Sequence, residues 1–391
     1  MITKPAAALA VAMVALTTDM LVYGLAVPVL PTIAHNLGAS SAAIGVLFAS
    51  YAAAQLIATP VVGIWIDRTG PRTPLLAGLV GLAASTLLFA FGQGFAMLLL
   101  ARLLQGVAAS VSWTACLVLI AATQPPETRG RAMGLALSSV GVGLLVGPVL
   151  GGFLFDRWGY RAPFLFAAAL AAADGVARWV LVRDFPAPTQ RVAIGTLLRH
   201  PQAPFVVVLT IIGAAIFAYF EPILPVHLTR DLGERPSVIG LVFGAAVLAE
   251  TLVAPFSGML ADRAARIIVV AAGIATGTVG MVALGPLENV WLIGVSLAVI
   301  AIAVSLIMAP TLTLVASIAE AQAPPAYGGA YALYNLAYAV GLTIGPLLGG
   351  VVYGAVSFRG AAWICATTLA LAGLGAGAVY QRTGAGMARV E

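Results

Sequence analysis

The segment GVLFASYAAAQLIATPVVGIWIDR, Gly45–Arg68, recurs later in the chain as GLVFGAAVLAETLVAPFSGMLADR, Gly240–Arg263. The two segments align without a gap at an offset of 195 residues. They share an interior proline, a glycine one turn later and an aspartate next to the final arginine. We infer that the chain repeats one structural unit, because a proline and a charged pair kept at one spacing serve the same geometry twice.

Two further pairs of segments carry nearly the same offset. GPVLGG at Gly147–Gly152 matches GPLLGG at Gly345–Gly350, 198 residues later. VPVLP at Val27–Pro31 matches EPILP at Glu221–Pro225, 194 residues later. Three separated pairs of segments with nearly equal offsets indicate that both halves of the chain follow one plan.

The composition indicates a membrane protein. Of the 391 residues, 61% are hydrophobic and 8% charged, and the mean hydropathy is +1.06; in soluble domains about a quarter of the residues are charged. Apolar stretches of about 20 residues, long enough to cross a bilayer, recur along the sequence. We predict twelve helical spans, near residues 6–33, 42–65, 73–92, 95–122, 131–155, 162–182, 204–228, 237–261, 266–285, 290–318, 327–353 and 360–380.

The repeat divides these spans into two halves. We predict an N-terminal six-helix half at residues 1–183, a cytoplasmic linker at 184–203 and a C-terminal six-helix half at 204–391. An even number of spans per half makes the halves parallel repeats, related by a pseudo-twofold axis along the membrane normal. Carriers that work by alternating access around a site between two halves have this architecture.

The basic residues of the loops predict the orientation. All basic residues except Lys4 are arginines, and most loop arginines fall on the side of the N-terminus, as in cytoplasmic loops. We therefore expect both termini in the cytoplasm. This bias accounts for the net charge of +5, and no basic patch on a soluble domain indicates nucleic acid binding. The arginine preference and abundant alanine favour a GC-rich bacterial genome, and hence a bacterial inner (plasma) membrane.

The sequence shows no constellation typical of an enzyme or a metal site. It has no nucleotide-binding loop, HExxH or Gly-x-Ser-x-Gly motif, and its three histidines are scattered. Cys116 and Cys365 lie within apolar spans, as packed core thiols do. We expect no enzymatic activity, no cofactor and no metal, so pumping would depend on a proton gradient.

The loop after the second span reads GIWIDRTGPR, Gly63–Arg72. It resembles the G-x-x-x-D-R-x-G-x-R signature of the major facilitator superfamily, and GMLADRAAR, Gly258–Arg266, falls where that family repeats the signature. The resemblance implies a cytoplasmic gate, and a well-anchored tight turn would use the same residues. The gating residues it implies are Gly63, Asp67, Arg68, Gly70, Arg72, Asp262 and Arg263.

Two further motifs resemble those of drug:proton antiporters in this superfamily. RLLQG, Arg102–Gly106, resembles their R-x-x-Q-G motif; an arginine within a span must face a polar cavity or a partner unless it snorkels to the interface. GVGLLVGPVLGG, Gly141–Gly152, resembles the fifth-helix signature that separates antiporters from symporters. Its Gly147, Pro148 and Gly151 are further gating candidates, and simple tight helix packing would need the same small residues.

Within the superfamily, nearly the whole chain resembles the vesicular amine transporters and their bacterial relatives. The resemblance rests on TTDMLVYGLAVPVLP, LFASYAAAQLIATPVVG, ARLLQG, YFEPILPVHL and YALYNLAYAVGLTIGPLLGG. It implies that Asp19 contacts the substrate amine. It also implies that Glu221 and Arg102 occupy the acidic seventh-helix and basic fourth-helix positions of that family.

Three positions depart from that family's pattern. Tyr51 replaces a lysine of the second helix and Asn335 an aspartate of the eleventh, so that a buried charge pair is lost as a whole. Ser305 replaces a tenth-helix aspartate linked to proton coupling. Glu250, at the repeat position of Gln55, is not carried over from the family and is a candidate proton or cation site of this chain.

Aromatic residues accompany these carboxyls. Tyr23 lies one helical turn after Asp19 and Phe217 one turn before Glu221; aromatic faces suit a cation, and packing with a hydroxyl partner is the alternative for each tyrosine. The predicted substrate site comprises Asp19, Tyr23, Tyr51, Phe217, Glu221, Ser305, Tyr331, Tyr334 and Asn335, and the predicted proton-coupling groups are Asp19, Glu221, Glu250 and Arg102.

Asp174 lies four residues before Arg178 on the predicted sixth span. This spacing predicts an ordinary ion pair on one helix face, which we expect near the membrane edge.

The sequence therefore predicts an all-α, twelve-span monomer of the major facilitator fold that exports organic cations, amines or multidrug substrates in exchange for protons. One alternative is a facilitator or exporter of a neutral or anionic metabolite or drug, with Arg102 as the ligand contact. A remote alternative is a membrane receptor or scaffold that transports nothing.

Overall fold

The computed structural model describes residues 5–70, 72–181, 194–263, 266–322 and 327–387. Twelve helical segments in these ranges are long and apolar enough to cross a membrane, which confirms the predicted number of spans. The helices are α1 (Pro5–Ala26), α2 (Leu30–Asn36), α3 (Ser41–Thr69), α4 (Arg72–Phe91), α5 (Phe95–Thr123), α6 (Pro126–Trp158), α7 (Ala162–Leu181), α8 (Ile194–Leu197), α9 (Ala203–Phe220), α10 (Leu224–Arg230), α11 (Pro236–Arg263), α12 (Arg266–Leu284), α13 (Val290–Glu320), α14 (Tyr327–Ala355) and α15 (Phe358–Met387).

The first and seventh spans are each broken in two, where we predicted single helices. The chain leaves the helix at 27–29 between α1 and α2, and at 221–223 between α9 and α10. Pro28 and Pro222 cause these breaks, because proline has no N–H to donate and its ring clashes with the preceding turn. The breaks occupy the matching VPVLP and EPILP segments, so the repeat extends to this irregularity.

Each half is held together by a ladder of glycines. In the first half α6 packs its glycines on the backbone of α1, and in the second α14 does the same on α9. A Cβ at any of these glycines would overlap a backbone carbonyl oxygen of the facing helix, so only glycine permits the approach. The pairs are Gly143 with Thr17, Gly147 with Leu21 and Gly151 with Leu25, and then Gly341 with Ile211, Gly345 with Ala215 and Gly349 with Tyr219.

The two halves meet along α3 with α14 and α6 with α11. Glycines again allow backbone contact, at the end of the bundle away from Pro5 and Met387. The contacting pairs are Gly45 with Pro346, Gly350 with Ser41, Gly240 with Pro148 and Gly152 with Pro236. We call these four contacts the distal seam.

Two hydrogen bonds between the halves accompany the distal seam. The hydroxyls of Thr32 on α2 and Thr229 on α10 lie 3.2 Å apart. The backbone N–H of Ser237, at the start of α11, donates to Asp156 Oδ2 at the end of α6 over 3.0 Å. The distal end of the bundle is therefore closed in this structure.

The predicted linker at 184–203 lies partly outside the described residues. Its described part begins with the short helix α8 and ends where α9 starts at Ala203.

Candidate functional site

Asp19 lies in the interior of α1 and is 1% exposed. Its Oδ2 accepts a hydrogen bond of 2.8 Å from Trp113 Nε1 on α5 and a longer one of 3.4 Å from Tyr51 Oη on α3. Its Oδ1 is buried and has no hydrogen-bond partner among the described residues. A buried carboxyl with one oxygen held and the other unused can accept a further donor.

Sequence reasoning missed Trp113. The indole is partly buried and is the nearer of the two donors to Asp19. Trp113 lies eleven residues after Arg102, which is close to three helical turns, so both project from the same face of α5. That spacing could have indicated a shared site.

Arg102 is fully buried and surrounded by aromatic rings. Its guanidinium carbon lies 4.8 to 5.8 Å from the ring centres of Tyr23, Phe48, Tyr51 and Phe89, within the range of cation–π contacts. Its Nη1 donates to Gln105 Oε1 over 2.9 Å, so the R-x-x-Q part of the motif makes an internal hydrogen bond. Its Nε and Nη2 have no partner among the described residues.

Glu221 lies at the break between α9 and α10 and is 2% exposed. Tyr23 Oη donates to Glu221 Oε2 over 2.5 Å. The ring of Tyr23 is also 4.9 Å from that of Tyr51. Because Tyr23 and Glu221 belong to different halves, this bond connects the halves near Arg102.

We expect Tyr23→Phe to destabilise the protein more than Tyr51→Phe does. Tyr23→Phe removes the 2.5 Å hydrogen bond to the buried carboxyl of Glu221, and a hydrogen bond to a charged group contributes about 1.5–3 kcal/mol to stability. Tyr51→Phe removes only the longer hydrogen bond to Asp19, of 3.4 Å. Thermal unfolding in detergent should show a midpoint lower by several degrees for Tyr23→Phe. Equal midpoints for the two variants would contradict this ranking.

Glu250 lies half-buried in α11. Its carboxyl interacts electrostatically with the phenols of Tyr334 and Tyr338, which are half-buried on α14 with ring centres 6.3 Å apart. Tyr338 in turn interacts with Glu221 and Tyr51. Tyr338 therefore interacts both with Glu250 and with residues of the Asp19 region.

The other predicted substrate residues occupy separate positions. Phe217 packs edge-on against Phe243 of α11, with ring centres 6.5 Å apart. Ser305 is buried on α13 and donates to Ser257 over 3.2 Å. Tyr331 is packed in an apolar cluster with residues such as Leu333, and Asn335 is half-buried between Tyr334 and Tyr338 on α14.

Asp174 and Arg178 form the predicted ion pair on α7. Their side chains are buried, at 3% and 1% exposed, and their position near the membrane edge remains a prediction. The four-residue spacing places both side chains on one face of α7, and α7 packs against α4 and α1. Arg178 Nε and Nη1 have no partner among the described residues.

The gating prediction remains a prediction, because the side chains of Asp67, Asp262 and Arg263 lie outside the described residues. Gly70 ends α3 with φ of +76°, a conformation that favours glycine. Arg68 is exposed at this end of the bundle.

Comparison with known proteins covers both halves of the chain. The model of the Major Facilitator Superfamily matches residues 12–221 and again 206–388. The chain belongs to the major facilitator superfamily. The double match covers both halves, as the repeat requires.

The curated relatives of this superfamily member include vesicular transporters. It is 30% identical to the human synaptic vesicular amine transporter over 81% of this chain and 62% of the relative. It is 31% identical to the rat chromaffin granule amine transporter over 81% and 61%, and 31% identical to a probable vesicular acetylcholine transporter-B of Danio rerio over 88% and 73%. The aligned region thus spans under two thirds of the two amine transporters.

Solved structures of the superfamily share the fold. A bacterial homolog to the human lysosomal transporter Spinster, in an inward-facing and occupied conformation, superposes with a TM-score of 0.74 at 16% identity over 89% of this chain and 81% of that one. The human organic anion transporter MFSD10 (TETRAN) gives 0.70 at 16% identity over 95% and 99%. At this identity the likeness establishes the fold alone.

Proposed function

We propose that this chain is a proton-coupled antiporter that exports organic cations, amines or multidrug substrates, by alternating access. The observation that carries the proposal is Asp19: a buried carboxyl oriented by Trp113 and Tyr51, with an oxygen left without a described partner. The resemblance to vesicular amine transporters supports the same assignment.

The balance of charges favours Asp19 over Glu221 as the residue that binds the cation. Arg102 and Glu221 interact electrostatically across Tyr23, so their charges offset one another. Among the described residues Asp19 forms no ion pair, since Arg178, which acts on it electrostatically, is paired with Asp174. A cation beside its free oxygen would supply the missing charge, and the rings of Tyr51 and Trp113 would cover the apolar part of an amine.

Competition between proton and substrate provides the coupling. A cation binds an ionised carboxylate, and a proton removes that charge, so the two ligands exclude each other at Asp19. If the halves rock only when one of them is bound, each cycle exchanges proton for cation. The energy source is the proton gradient, and no cofactor takes part.

The proposed location is the inner membrane of a bacterium, with both termini in the cytoplasm and a monomer as the functional unit. The loop arginines support this orientation. It places the distal seam on the extracytoplasmic side. The structure then corresponds to a carrier closed toward the outside.

The test is exchange in liposomes containing the purified protein. With an imposed pH gradient, the fluorescent cation ethidium and a radiolabelled monoamine should move against the proton flux. Addition of a protonophore should abolish their accumulation. Absence of both gradient-driven movement and counterflow would contradict the proposal and favour a protein that transports nothing.

We expect Glu250→Gln to uncouple exchange from the pH gradient. The change removes the charge of a half-buried carboxyl beside Tyr334 and Tyr338 and gives α11 the residue that α3 has at the repeat position, Gln55. Equilibrium binding of the cation should be retained, while pH-driven accumulation falls to the level of empty liposomes. Accumulation equal to that of the parent protein would remove Glu250 from the coupling groups.

A second candidate is transport of an anionic or neutral compound with Arg102 as its contact. Two donors of Arg102, Nε and Nη2, have no partner among the described residues, which favours this candidate. The four aromatic rings around the guanidinium restrict the access of a ligand to those donors. A series of matched amines, alcohols and carboxylates separates the candidates. Affinity that rises with the negative charge of the ligand would select this second candidate.

A further inference from the structure

A polar cavity lies between the two halves at the distal end of the bundle, where α2 of the first half contacts α10 of the second. Its volume is about 220 Å³, smaller than the roughly 300–1,000 Å³ of sites for drug-sized molecules. We call it the distal cavity. Its lining residues are Thr32, His35 and Asn36 from α2, and Val226, Thr229 and Arg230 from α10. A cavity of this size suits a small molecule or an ion.

The repeat brings the same three positions of each half to the distal cavity. At the offset of 194 residues, Thr32 corresponds to Val226, His35 to Thr229 and Asn36 to Arg230. Each half therefore supplies one wall, and the cavity is centred on the pseudo-twofold axis. A ligand held by both walls would connect the halves.

The two short helices direct polar side chains to the distal cavity and apolar ones to the core. Leu30 and Ile33 of α2, and Leu224 and Leu228 of α10, are buried in the large apolar cluster. Five of the six residues that line the cavity are polar. The cavity therefore offers hydrogen-bonding groups from both halves.

Several of these groups are available to a ligand. The hydroxyls of Thr32 and Thr229 lie 3.2 Å apart and bond to each other across the cavity. The side chains of His35, Asn36 and Arg230 form no hydrogen bond among the described residues. All three carry N–H donors.

Arg230 gives the distal cavity a positive charge. Its side chain is 66% exposed, and its Nε lies 4.0 Å from Asp231 Oδ1, which is too far for a hydrogen bond and contributes little in water. The other oxygen of Asp231 lies 2.6 Å from His227 Nδ1. Among the described residues no acidic side chain lines the cavity. The charge therefore favours an anion over a cation.

We propose that the distal cavity binds a small oxyanion of the phosphate or carboxylate class between Arg230 on one wall and His35 and Asn36 on the other. The planar guanidinium can hold two oxygens of such an anion with parallel hydrogen bonds, and the remaining oxygens accept from the imidazole and the amide. The bound anion connects α2 with α10 and so stabilises the closed distal end. This site does not depend on which substrate the carrier moves.

Binding can be tested without transport. Thermal unfolding of the full-length protein in an uncharged detergent is followed at pH 7 with increasing sodium phosphate, and sodium chloride keeps the ionic strength constant. A ligand that binds the folded protein raises the midpoint until the site is saturated. Phosphate also stabilises proteins by its exclusion from their surface, but that effect does not saturate and is common to all variants.

Variants on both walls separate the site from this general effect. Arg230→Gln and His35→Gln should each raise the half-saturating phosphate concentration at least about fivefold, as expected for loss of one charge-assisted hydrogen bond. Arg235→Gln is the matched control. Arg235 is an exposed arginine five residues after Arg230 and does not line the cavity, so this variant should keep the parent value.

Three results would overturn the proposal. One is the same unsaturated rise in all four proteins, and another is an equal loss in Arg235→Gln. The third is a loss in Arg230→Gln alone, which would mean a surface contact and not a site between the halves. A lipid headgroup is the other source of a phosphate group, so micelles doped with phosphatidylglycerol are run in parallel; a shift with the lipid and none with inorganic phosphate would overturn a soluble ligand.

Cation counterflow in liposomes tests the effect on closure. If phosphate binds only the closed distal end, a concentration ten times the half-saturating value should slow counterflow up to about tenfold. Arg230→Gln should be slowed much less, and Arg235→Gln as much as the parent protein. Saturable binding without slower counterflow would overturn the closing effect. A protein that shows no counterflow at all, with saturable binding on both walls, would lose the proposed antiport and keep the anion site.

Discussion

Asp19→Asn should weaken binding of an organic cation by at least about 100-fold, the scale expected when one partner of a buried charge pair is neutralised. The amide keeps the size of the side chain and can still accept from Trp113, so the packing of α1 is retained. What is lost is the negative charge at the oxygen that has no described partner. Equilibrium binding of a radiolabelled monoamine to the purified protein measures the effect.

Glu288→Gln is the matched control for Asp19→Asn. Glu288 is an exposed acid in the loop before α13, so its neutralisation changes the net charge equally without altering the interior. Its affinity for the cation should equal that of the parent protein. If Asp19→Asn and Glu288→Gln bound the cation equally well, Asp19 would not be the cation site.

Gly240→Leu should abolish exchange while leaving the cation site intact. A Cβ at Gly240 would overlap the carbonyl oxygen of Pro148, so a leucine there prevents the distal seam from closing. The repeat-related Gly45, where a Cβ would lie 2.5 Å from the carbonyl oxygen of Pro346, has the same constraint. A carrier that cannot close at this end cannot complete a cycle, although it can still bind from that side.

Gly375→Leu on α15 is the control for Gly240→Leu. A Cβ at Gly375 has no described atom within 4 Å and the residue is exposed, so this leucine should leave exchange unchanged. A cysteine introduced by Thr32→Cys, in a background without Cys116 and Cys365, reports opening at the distal seam. It should react faster with a water-soluble thiol reagent in Gly240→Leu, and equal rates with retained exchange would contradict the assignment of the seam.

The sequence predicts the twelve spans and the two halves well, because hydropathy and the repeat report them directly. It does not predict the breaks in the first and seventh spans. Prolines occur within intact spans as well, such as Pro60 in α3 and Pro148 in α6, because neighbouring helices satisfy the freed backbone groups. Whether a given proline interrupts a span therefore depends on tertiary packing.

The candidate site remains a prediction. The resemblance to the vesicular amine transporters indicated Asp19, Arg102 and Glu221, and in the structure Tyr51 contacts Asp19 and Arg102 while Tyr23 contacts Arg102 and Glu221. Trp113 carries no motif and was missed. The spacing of Asp174 and Arg178 predicted their ion pair, but a spacing of four does not say which helix covers that face of α7, so their burial could not be predicted.

The Tyr23–Glu221 hydrogen bond has a consequence for leakage. The bond joins the two halves near Arg102, whose guanidinium is surrounded by aromatic rings. A carrier that reopens at the distal seam must therefore stretch or break this bond. Breaking a hydrogen bond to a charged group costs about 1.5–3 kcal/mol, which would slow an empty carrier about 10- to 150-fold. The bond thus slows transport cycles in which no cation is carried. We expect liposomes that contain the Tyr23→Phe protein to lose a proton gradient faster than those with the parent protein when no cation is present.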